Sequence, residues 1–136
     1  MYLLDTNIWL ERLLAQERSH EVGAFLSVIP ARELLITDFS FHSIGVILNR
    51  LGQHEGFLRF VQDVFIDHGV SLVSLAPEKM PQVIGVMKAY GLDFDDAYQF
   101  VAAEMYEAVL VSFDSDFAQT PLGQVTPKDV LDRLQR

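Results

Sequence analysis

The chain has 136 residues, half of them hydrophobic, and 19 acids against 10 bases give a net charge of −9. That length fits one domain over residues 1–136, and that apolar content excludes a disordered chain. The absence of cysteine excludes disulfides, thiolate catalysis and cysteine–zinc sites, and the acidic balance argues against a broad phosphate-binding surface. In chain order, residues 2–5 read as a short buried strand. Residues 6–15 follow as a helix, with Thr6 as its expected cap and Ile8, Leu10, Leu13 and Leu14 near helical spacing. A second helix over 20–29 is closed by Pro30. ELLIT (33–37) is a strand, 39–51 a helix, and GFLRFVQDVFIDHG (56–69) an amphipathic helix ending at glycine. VSLVSL (70–75) is a strand. Pro77 opens a helix that Gly91 stops. DFDDAYQFVAAEMYE (93–107) is a helix with acids in its first turn, AVLVSF (108–113) a strand, and 126–134 a last helix with Thr126 as cap and Pro127 at its first position.

Strands alternating with helices predict an α/β fold: a three-layer α/β/α arrangement around a mainly parallel sheet of four to five strands. Ligands of such folds bind outside the carboxyl ends of the strands. Asp5 ends the first strand, Asp38 the second, and Asp114 and Asp116 follow the strand 108–113. The helix 93–107 runs back into that strand, so Asp93, Asp95 and Asp96 belong to the same edge. Each acid alone reads as a cap or loop residue. Together they form a rim of mutually repelling carboxylates, and Mg2+ or Mn2+, hard ions that take oxygen ligands, would resolve the repulsion. Sites of this kind carry out phosphoryl chemistry. A phosphatase using Asp5 as phosphoacceptor wants an acid two residues later, where this chain has Asn7.

The stretches L-L-D-T-N (3–7), L-D-F-D-D-A (92–97), L-V-S-F-D-S-D-F (110–117) and V-T-P-K-D-V-L (125–131) resemble, in order and over the whole chain, the PIN domain. The likeness is to the small single-domain form found as the toxin of VapBC-type toxin–antitoxin pairs. The resemblance implies a Mg2+- or Mn2+-dependent ribonuclease acting on RNA, with a cognate antitoxin and a homodimer as expected partners. It implies catalytic and metal-binding roles for Asp5, Asp96 and Asp114, with Asp116 assisting. Asn7 and Ser112 are expected to hold the carboxylates by hydrogen bonds. The family's usual glutamate, early in the helix after the second strand, is missing. Ser43 takes its place, with His42 beside it and Asp38 near enough to swing in. This departure opens an alternative: a weakened PIN-fold module acting by protein or RNA binding. The Phe-rich helix carrying Phe57, Phe60 and Phe65 reads as core. No apolar run reaches membrane-span length and no basic-then-apolar segment opens the chain, so the expectation is a cytoplasmic protein with no membrane partner.

Overall fold

The computed structural model describes residues 1–135. Four short strands, β1 (Tyr2–Leu4), β2 (Leu34–Thr37), β3 (Ser71–Val73) and β4 (Val109–Val111), form one sheet in the order β3-β2-β1-β4. All three pairings are parallel, with Leu3 opposite both Leu35 and Leu110. A parallel bridge from Val111 to Val125 extends the β4 edge, without a full fifth strand. The helices are α1 (Thr6–Leu13), α2 (Ser19–Val28), α3 (Asp38–Arg50), α4 (His54–Phe60), α5 (Met80–Tyr90), α6 (Phe94–Met105) and α7 (Pro127–Leu134).

Side chains alternate across a strand, and that alternation divides the core into two. Leu3, Leu35, Val73 and Leu110 pack under α5 and α6 with Val83, Phe100 and Val101. Leu4, Leu34, Ile36 and Val111 face the other way, toward Ile8, Phe25, Ile44 and Val130 of α1, α2, α3 and α7. Leu3 and Leu4 are both fully buried, each stabilising the fold by about 2 kcal/mol. Burial on both faces is why the strands read as unbroken apolar runs. The outcome is the expected three-layer α/β/α fold. Among the described residues no helix is long and apolar enough to cross a membrane.

The expected elements are present, with two corrections. Asp5, not Thr6, is the N-cap of α1: its carboxylate accepts from the Thr6 backbone N–H at 2.8 Å. The expected single helix over 56–69 is α4 followed by a π-helical turn, Val61–Asp67. There Phe60, buried between Trp9, Phe57 and Phe65, packs edge-on to Trp9 and Phe65. Thr126 caps α7 as expected, in a reciprocal capping box with Asp129.

Candidate metal centre

Each element of the sheet ends by delivering a polar side chain to the same rim. β1 runs directly into Asp5 and β4 into Ser112, on the α6 side of the sheet where Leu3 and Leu110 also point. α6 runs antiparallel to the strands, so its first turn returns Asp95 and Asp96 to the strands' carboxyl end. Asp93 caps that turn, accepting from the Asp96 N–H at 2.9 Å. Asp114 in turn caps the short 3-10 turn Ser115–Gln119 by accepting from the Asp116 N–H at 2.9 Å. One open pocket is lined by Asp5, Asp93, Asp95, Asp96, Asp114 and Asp116.

Carboxylate oxygens of Asp96, Asp114 and Asp116 lie within 4.8 Å of one another. An octahedral Mg2+ or Mn2+ with oxygens about 2.1 Å away holds neighbouring oxygens about 3 Å apart and opposite ones about 4 Å apart. The three carboxylates are already gathered close to that spacing, and all their ligand atoms are oxygens, so the donor set fits a hard divalent ion. Its electrostatics agree. Burial, then the charges of Asp114, Asp93, Asp5 and Asp116, push the Asp96 carboxyl from 3.8 up to about 7. Asp5 is also raised, chiefly by burial and in smaller part by Asp114.

Asp5 sits deeper than the other three and is held on both oxygens. Oδ1 accepts from the Thr6 N–H at 2.8 Å and from Gln99 Nε2 at 2.9 Å, while Oδ2 accepts from Ser112 Oγ at 2.7 Å. Ser112 Oγ also accepts from the Asp114 N–H at 2.9 Å, tying the two acids together. Asn7 does not reach a carboxylate. Its Nδ2 donates to Ser112 Oγ at 3.3 Å and its Oδ1 accepts from the Phe113 N–H at 3.2 Å, so it braces Ser112 and the loop leading to Asp114.

Ser43 lines the acidic pocket, together with Phe39 and Ile47 of α3, and brings no charge to it. His42 faces away, into two neighbouring pockets. Asp38 does not swing in either: it lines the pocket next door and its Oδ1 accepts from the Tyr98 hydroxyl at 2.8 Å.

Gln99 is the residue the sequence reading missed. It is fully buried, one helical turn below Asp96. Nε2 donates to Asp5 Oδ1 and, at 2.8 Å, to Ser40 Oγ; Oε1 accepts from Thr37 Oγ1 at 2.6 Å. Ser40 Oγ also accepts from Thr6 Oγ1 at 2.8 Å. Turning the amide over would aim Oε1 at the Asp5 carboxylate, so the network fixes its orientation. The available signal was a lone amide inside the apolar run A-Y-Q-F-V-A-A, three residues after an acid.

Comparison with known proteins adds an independent line. The family model for the PIN domain matches residues 2–122, and no curated protein matches. Among solved structures, the chain is similar to the sarcin-ricin-loop-cleaving toxin VapC20 of Mycobacterium tuberculosis, with a TM-score of 0.78 at 16% identity, covering 93% of this chain and 100% of that one. A toxin–antitoxin complex from Klebsiella pneumoniae gives 0.75 at 21% identity, over 93% and 98% of the two chains. A protein from Pyrobaculum aerophilum gives 0.69 at 25% identity, over 98% and 96%. With the matched segment running from β1 through the loop beyond Asp116, the chain belongs to the PIN domain family.

Proposed function

We propose that the protein is a divalent-metal-dependent endoribonuclease and the toxin of a toxin–antitoxin pair. The reading is carried by the convergence of Asp96, Asp114 and Asp116, with Asp5 behind them, at the carboxyl edge of a PIN-family sheet. It is supported by the likeness to a toxin–antitoxin complex and to a toxin that cleaves RNA. Asp96, Asp114 and Asp116 would hold Mg2+ or Mn2+. When bound, that ion supplies activation of water and neutralisation of charge at phosphorus. Asp5 adds negative charge from below, and Ser112 and Gln99 fix where that charge sits. Ser112 also couples Asp5 to the Asp114 backbone, so the inner and outer acids keep one spacing. An antitoxin partner fits the same reading, as does a homodimer.

The test is RNA cleavage by purified protein with Mn2+ against the same preparation of Asp96→Asn. Activity in the first and at least a hundredfold loss in the second are expected. Equal activity in both would remove the assignment. Ser43 favours a second reading, in which the chain keeps the fold but binds metal weakly and acts through partners. Mn2+ calorimetry separates the two. Ser43→Glu should tighten binding by adding a carboxylate to the pocket, and an absence of gain would show that position 43 is not the missing ligand's place.

A further inference from the structure

We propose that the pocket beside the acids, lined by Asp38, Phe39, His42, Phe94 and Tyr98, is a subsite for one nucleobase of single-stranded RNA. The inference rests on the nuclease reading and extends it to how the strand is held. The position comes first. Asp38 opens α3 immediately after β2, and the Tyr98 hydroxyl accepts from the Leu75 N–H at 2.9 Å just beyond β3. The pocket therefore sits over the β2–β3 end of the carboxyl edge, while the acids sit over β1 and β4. Parallel strands lie about 4.8 Å apart, which puts the two sites roughly 10 Å from each other, a span that a nucleotide or two bridges. Phe39 lines both pockets, so the two are immediate neighbours on the rim.

The lining selects the occupant. Phe94 leaves 45% of its surface exposed although it is a large apolar side chain flanked in sequence by Asp93 and Asp95. Its ring lies 6.2 Å from that of Tyr98. An exposed aromatic face beside a phosphoryl-transfer centre is a stacking platform, and unstacked bases of single-stranded RNA are recognised on such faces. Asp38 supplies an acceptor: Oδ1 is taken by the Tyr98 hydroxyl and by the Phe39 N–H at 2.9 Å, leaving Oδ2 for a ligand. The exposed His42 imidazole supplies a donor. A phosphate would be repelled by Asp38. A guanidinium pairs with Asp38 but offers no acceptor to an imidazole N–H, and the arginine control in the test below separates it from a base. A base edge offers donors and acceptors side by side, matching the carboxylate and the imidazole together. The cavity, about 450 Å3 and open to solvent, admits a base with its sugar outside.

The test separates this proposal from the nuclease reading. Guanosine, adenosine, cytidine and uridine, which carry no phosphate, are titrated into isotope-labelled Asp96→Asn protein with the His42 and Phe94 resonances followed by NMR. At least one nucleoside should perturb both residues at millimolar concentration, and Phe94→Ala in the same background should weaken that response about tenfold. If RNA is cleaved by the wild type, Phe94→Ala should also raise KM about tenfold and Asp38→Asn should change which base is preferred beside the cut. A wild type that cleaves nothing defeats the nuclease reading and leaves the nucleoside titration to decide the subsite. No perturbation by any nucleoside overturns the proposal. So does perturbation by N-acetylarginine amide alone, which would make the pocket a receptor for a partner's arginine.

Discussion

Gln99 shows how much of this site is set by a residue that carries no charge. A carboxylate as buried as Asp5 is costly unless each oxygen finds donors, and Gln99 supplies one of the three that reach it. Gln99→Leu keeps the volume but removes that donor and leaves the Thr37 hydroxyl without its acceptor, while Ser40 keeps its bond from Thr6. The expected cost is about 1–3 kcal/mol in stability and a 10–100-fold loss in Mn2+ affinity, the size seen when groups behind a metal's ligands are removed. Calorimetry on variants that circular dichroism shows to be folded checks it; an affinity within twofold of wild type would make Gln99 merely structural. The acids around it were readable from sequence because aspartates at strand ends stand out against apolar runs. Gln99 was not, because only packing shows that its helix face meets Asp5. The capping of α1 was misread for a related reason: Thr6 has the right chemistry, but its hydroxyl is turned to Ser40, and Asp5 performs both tasks.

At the scale of elements, the placement of α6 decides whether the acids meet at all. α5 ends at Gly91, which adopts a left-handed backbone with φ of 65°, and the chain then enters Asp93 and the acid-bearing first turn of α6. No atom crowds a Cβ at Gly91 within 4 Å, so the need for glycine there is conformational rather than steric. Gly91→Ala should therefore cost about 1 kcal/mol, read as a shift of the urea midpoint without change of slope, and no shift would show the turn to be freely re-formed. This boundary was legible, as were the other glycine and proline stops and the parallel, doubly buried strands, because φ requirements and two-sided burial leave local marks in sequence. The π-helical turn after α4 was not. The periodicity of residues 56–69 is that of one helix, and what it does not record is the packing of Phe57, Phe60 and Phe65 with Phe41 and Trp9, contacts made across the fold.

At the scale of the whole molecule, the net charge of −9 is concentrated where the topology gathers strand ends: six of the 19 acids line one pocket. The fold therefore stores repulsion at the rim, and metal and pH should control its stability together. Burial first, and then the neighbouring carboxylates, push Asp96 from 3.8 up to about 7 in the folded chain. Between those values the unfolded state has lost its proton while the folded state keeps it. Metal-free stability thus falls as pH rises from about 4 to about 7 and is flat above. Asp96 is partly open to solvent, which screens the effect to about 1 kcal/mol, or about 2–6 °C in Tm for a chain this long. Asp96→Asn should remove most of that difference between pH 5 and pH 8. Mn2+ reverses the balance, because it binds the ionised cluster: at 100 times its Kd it adds about 2.7 kcal/mol. The rise in Tm should be full at pH 8 and much smaller at pH 5, where a proton must leave Asp96 first. Thermal melts of wild type and Asp96→Asn at both pH values, with and without Mn2+, check both halves. A wild type whose Tm does not rise at pH 8 in millimolar Mn2+ would leave the rim as repulsion that no ion relieves, and the chain as a binding module rather than an enzyme.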